Sequence, residues 1–221
     1  MAQTSRFTTR ELVLVPAIIT LAVTLLRLTG ELQGWSPALF SRQGGGGWAL
    51  IGIVWLVFVF GIYFAIRLAR AGQGPPSVGW AVGYSLLGLI LAPASAAVAT
   101  AAGAPQLRII GLVSIVFLAG AWVACRGWRE LGNTLFVYAL AARVPVVLVM
   151  LAAILGSWGT HYDAVPPGFP AMGPVATWAL IGLFPQLTLW VGFTVTVGMF
   201  FGSVAVAIVR PRPRQAVAPA A

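Results

Sequence analysis

Lysine is absent from this sequence, cysteine and histidine each occur once, and the acids number only four: Glu11, Glu31, Glu130 and Asp163. Each scarcity excludes something. Cys125 alone can form neither an intrachain disulfide nor a cysteine-based metal site. No acid falls in the middle of a long apolar run, which argues against a proton- or sodium-coupled transporter, since such proteins use intramembrane carboxylates. Charged residues fill only 8% of the 221 positions and hydrophobic ones 60%, and the mean hydropathy is +0.96. That balance excludes a disordered chain, a collagen-like fibre and an ordinary soluble enzyme. It predicts an all-α fold, a polytopic integral membrane helix bundle.

What is present is a series of apolar runs. A bilayer core needs about 20 apolar residues per helix. Six spans are read at residues 12–30, 48–68, 78–101, 107–125, 135–158 and within 175–209. No small-residue cleavage site follows the first, so it is read as a retained helix rather than a leader. The sixth run is awkward: 35 residues make about 52 Å of helix, more than one bilayer core requires. Pro185 interrupts it. Either one long tilted helix or a short segment to about Phe184 followed by a span fits the pattern. The spans form one transmembrane domain over residues 1–209. A basic Pro/Ala-rich tail, 210–221, is expected to meet anionic headgroups.

All 13 basic residues are arginines. Arg6, Arg10, Arg67, Arg70, Arg126, Arg129, Arg210, Arg212 and Arg214 fall on one side of the six spans. Only Arg42 and Arg108 fall on the other. The positive-inside rule then places both termini in the cytoplasm. The net charge of +9 is a topology signal and not a nucleic-acid signal, because no basic patch with interleaved stacking aromatics accompanies it. Exclusive arginine usage points to a GC-rich genome and a bacterial inner membrane. The expected partners are the lipid bilayer and a second copy or another membrane protein.

The chain also echoes itself. Trp48-Ala49-Leu50-Ile51-Gly52 recurs as Trp178-Ala179-Leu180-Ile181-Gly182, and Val15-Pro16 as Val144-Pro145. Units 11–70 and 140–202 would then form a parallel repeat, the first two spans echoing the last two. In that register Val-Pro opens each helix, where proline is tolerated. A fifth span centred on its apolar run would bury Arg143; in the echo register Arg143 would instead snorkel to the cytoplasmic interface, with residues 134–142 as an interfacial lead-in or an extra turn.

Ionisable groups in or near spans are the first functional candidates. Arg27 and Glu31 stand four residues apart on one helical face, the spacing of an ion pair. His161 and Asp163 lie in the fifth loop, which the echo sets opposite Glu31. His161, Asp163 and Glu31 converging on one surface would suit a divalent metal or a His–carboxylate acid/base pair. The plainer alternative is a hydrogen-bonded, capped loop with no cofactor. Ser157 and Thr160 are nearby hydroxyls without a nucleophile elbow. The run Gly44–Gly47 lacks the Lys-Ser/Thr of a phosphate loop and reads as a turn. Trp35, Phe40, Trp48, Trp158, Tyr162, Phe169 and Trp178 read as an interfacial aromatic belt. Gly79 and Gly83, like Gly198 and Gly202, have the small-residue spacing of close helix packing.

Three functions are compatible with these features. The leading one is a non-enzymatic structural or interaction subunit. The second is a transporter or channel subunit built on the repeat. The third is a membrane-embedded enzyme or metal site at the outer face, using His161, Asp163 and Glu31.

Overall fold

The computed structural model describes residues 8–44 and 50–209, and their regular structure is helical throughout, without a strand. Arg6, Trp48, Gly45–Gly47 and the tail 210–221 lie outside the described residues. Helix α1 (Thr9–Leu32) starts sharply because Thr8 and Glu11 form a reciprocal cap, each satisfying a backbone N–H of the first turn. Helix α2 runs Leu56–Arg70, α3 Val78–Ala101, α4 Gln106–Gly127 and α5 Arg129–Gly156. Only Trp128 separates α4 from α5. Its indole is fully buried and donates to the Gln73 carbonyl at 2.8 Å.

The sixth run is one helical path in pieces: α6 (Pro174–Thr177), a π-helical stretch (Trp178–Leu183), α7 (Phe184–Leu187) and α8 (Leu189–Val209). Pro185 cannot supply the N–H that would close the turn onto Ile181, and the turn before it widens into the π form. The path is interrupted once more at Thr188, a turn residue with φ of −114° and ψ of −74° between α7 and α8.

Five of these elements are long and apolar enough to cross a membrane: α1, α3, α4, α5 and the composite Pro174–Val209. This is the construction of a membrane-embedded helix bundle. Helix α2 is the exception. Its 15 residues make about 22 Å, short of the roughly 30 Å of a bilayer core. Residues 50–55 before it lie in bends and turns, so the second expected span is helical only from Leu56.

Helix α8 is the centre of the bundle, packed against α2, α3, α4 and α5, and α1 packs mainly on α5. Glycines make these approaches close. A Cβ on Gly61 would stand 2.7 Å from the Cα and carbonyl oxygen of Gly198, and one on Gly202 would stand 2.7 Å from the Gly61 carbonyl oxygen. Gly88 and Gly120 bring α3 and α4 together in the same way. So Gly198 and Gly202 pack as their spacing predicts. Gly79 and Gly83 do not: no other helix comes within 4 Å of a Cβ built at either. Tyr138 packs edge to face on both Phe60 and Phe64, its ring 5.4 and 5.5 Å from theirs.

The echo register fails at the start of α5. Pro16 and Pro145 both lie inside helices rather than in the first turn. Residues 134–142 are continuous α-helix, further turns of α5 and not a lead-in. Arg143 therefore sits mid-helix and buried, 4% exposed, and does not snorkel. The aromatic belt is also thinner than expected, because Phe40 and Tyr162 are buried. Phe40 covers Gly30, where a side chain would collide with its ring.

A candidate binding cavity at the loop end of the bundle

The described parts of the first connection, 33–44 and 50–55, and the connection 157–173 gather at the end of the bundle opposite Arg67, Arg70, Arg126 and Arg129. Beneath them lies a cavity of about 1180 Å³. The space follows from the shortness of α2. Where a full-length helix would continue upward, the chain instead runs through Leu50–Trp55, which forms one wall. The other walls come from α1, α4, α5, the fifth loop and the α7–α8 junction, and they are mostly apolar. Non-helical backbone at membrane depth is tolerated where it is buried in protein or lines a cavity, and Leu50–Trp55 meets that condition.

Two polar groups interrupt the apolar lining. The first is built from the last turns of α1. Thr20, Thr24, Arg27 and Glu31 follow each other at helical spacing and are all buried. Arg27 Nε donates to Glu31 Oε1 at 2.8 Å, and Arg27 Nη2 to the Ser41 carbonyl at 3.1 Å. His161 meets the same carboxylate twice: its backbone N–H donates to Oε2 at 2.9 Å, and Nδ1 stands 2.6 Å from Oε1. Tyr162 donates its hydroxyl to the Thr24 carbonyl at 3.2 Å. Arg42 donates to the Glu31 carbonyl oxygen. Glu31 thus fastens both long connections to α1.

Burial pushes the His161 imidazole below its ordinary 6.5 and outweighs the opposing pull of Glu31. The ring is neutral at pH 7. Ionised Glu31 can only accept, so Nδ1 carries the proton and Nε2 is the basic nitrogen, directed away from the pair. Asp163 does not join them. Its carboxylate accepts from Gly159 N–H at 2.8 Å and from the backbone N–H and hydroxyl of Thr160, each at 2.7 Å. Burial alone would raise the Asp163 carboxyl, but these bonds outweigh it and hold the group below its ordinary value. Of the three predicted residues, then, Glu31 and His161 come together while Asp163 caps its own loop. Among the described residues no group of three or more His, Cys, Asp or Glu side chains is arranged to hold a metal.

The second polar group lies deeper. Arg143 borders the cavity with Gln186 and Trp190. Its Nη1 donates to Gln186 Oε1 at a long 3.4 Å. Its guanidinium carbon lies 4.7 Å from the Trp190 ring centroid, a cation–π distance. Its Nε is buried without a hydrogen-bond partner. The sequence reading missed Gln186 and Trp190 as partners, since neither carries a charge or a motif. It also missed Thr20 and Thr24, although the stripe 20, 24, 27, 31 is visible in the sequence at the 3.6-residue period.

No protein family, curated protein or solved structure matches this chain.

Proposed function

We propose that this protein is a multi-pass membrane protein, with both termini in the cytosol of a bacterium, that binds an apolar molecule in its loop-end cavity without altering it. The observation that carries this reading is the cavity, about 1180 Å³ and largely apolar. Pockets that enclose small ligands run to about 1,000 Å³ and combine apolar walls with a few placed polar groups. Both features are present here. The Glu31 tie supports a binding role, because both carboxylate oxygens are committed to holding the walls together. Its surroundings in this reading are the lipid bilayer and no nucleic acid.

The test uses methyl cis-parinarate, an uncharged fluorescent chain, with purified protein in uncharged detergent. Energy transfer from tryptophan should be saturable and displaced by a non-fluorescent methyl ester. Ile53→Trp and Ile181→Trp, which place a larger side chain at two lining positions of the cavity, should each weaken binding by about tenfold or more. Transfer that never saturates, or wild-type affinity in both filled variants, would refute the reading.

A second reading, a membrane enzyme at the outer face, draws on one observation. His161 borders the cavity with Nδ1 held by Glu31, the arrangement of a general base oriented by a carboxylate. A lipid extracted with the protein and chemically changed by wild type, but not by His161→Gln, would favour it. Recovery of the same lipid unchanged favours binding alone.

A further inference from the structure

We infer that Arg143 is the headgroup site of this cavity, and that the ligand is an amphipathic anion with an apolar chain and a carboxylate or phosphate. The inference rests on the cavity being a binding site and adds the class of its occupant.

Arg143 lies fourteen residues after Arg129 and thirteen before Gly156 in α5. At 1.5 Å per residue it is roughly 20 Å from either end of the helix. A guanidinium at that depth, 4% exposed, requires a counter-charge. Among the described residues the chain supplies none. Glu31 is bound to Arg27 and His161, Asp163 to its own loop, and Glu11 to Thr8 at the far end of α1. Glu130 lies in the first turn of α5, thirteen residues from Arg143, or about 20 Å along the helix. The Tyr138 hydroxyl is engaged with Thr20.

Arg27 is the internal comparison. It borders the same cavity and has a carboxylate of its own at 2.8 Å. Arg143 has instead the edge of a long amide bond, a tryptophan face and an unpartnered Nε. Trp190 and Gln186 hold the guanidinium plane, and a planar fork held in place is suited to two-point binding of carboxylate or phosphate. The apolar walls beside it take the chain.

The experiment compares cis-parinaric acid with its methyl ester at pH 8, where a free carboxylate is ionised. Wild type should bind the acid about tenfold or more tightly than the ester, and Arg143→Gln should remove that preference. Arg143→Lys should restore part of it. Palmitate and a single-chain lysophosphatidate are then compared as competitors. The stronger one names the head, and either supports the inference. Equal affinity of wild type for acid and ester would overturn it while leaving the cavity reading intact. Failure of both probes would overturn both. Abolition of the acid preference by millimolar inorganic phosphate, with ester binding untouched, would show a free-ion site and overturn the amphiphile. The acid–ester comparison needs only wild type, so it decides the matter even if Arg143→Gln does not fold.

Discussion

Glu31 and Arg143 are both buried polar residues, and their substitution should have opposite results. Glu31→Gln takes the counter-charge from the buried Arg27 guanidinium and loosens the fifth loop. Breaking one side of a buried pair costs about 3 kcal/mol, so the melting temperature in detergent should fall by several degrees. Arg143→Met in delipidated protein should leave the melting temperature unchanged or raise it, because an isolated buried charge is replaced by an apolar side chain of similar length. A large loss would assign Arg143 a structural task instead. Acid should loosen the loop through His161. The folded ring titrates below 6.5, so under pH 6.5 the unfolded chain accepts a proton that the folded one refuses. Stability therefore falls as pH falls through that window. Melting at pH 7.5 and 5.5 should show a larger drop in wild type than in His161→Gln. Asp163, held below its ordinary 3.8, adds a loss of the same sign, but only in stronger acid. The Arg27–Glu31 pair was legible from its spacing alone. The depth of Arg143 was not, because it depends on where α5 begins, and residues 129–134 have no strongly apolar signal to mark that start.

At the level of helices, the glycines separate into two classes that look alike in sequence. Gly61→Ala should destabilise the bundle by about 1–3 kcal/mol, the usual cost of overpacking, because backbone of α8 stands where the methyl would go. Gly83→Ala meets open space and should be neutral or stabilising by about 0.5 kcal/mol through helix propensity. Thermal unfolding of the two variants side by side checks the contrast. The same spacing occurs at Gly79/Gly83 and Gly198/Gly202, yet only the second pair is packed. Spacing defines a smooth stripe, and the neighbours of a helix decide whether the stripe is used. Most span boundaries were legible to within a few residues, since hydropathy reports length directly. The beginning of α2 was not, because Leu50–Trp55 is as apolar as the helix that follows it.

For the molecule as a whole, the arginine bias is the feature most open to test. Reporter fusions after Val209 and before Thr8 should both report the cytosol, and a reporter inserted at Gly103 should report the opposite side. A reversed pattern would invert the bundle and turn the cavity toward the cytosol. The cavity itself was invisible in the sequence. It arises from a helix that stops short, two connections that fold back over the gap, and a glutamate that ties them, none of which hydropathy records.

The bond between Thr20 and Tyr138 spans 118 positions, and that distance has a consequence for synthesis. α1 leaves the ribosome first, yet its principal neighbour is α5. At about 5–20 residues per second, the interval between the two is on the order of ten seconds. Throughout it the Thr20–Thr24–Arg27–Glu31 stripe keeps its bonds within α1 but lacks those to Tyr138 and His161. The polar face of α1 is therefore completed only when α5 and the loop after it have been made.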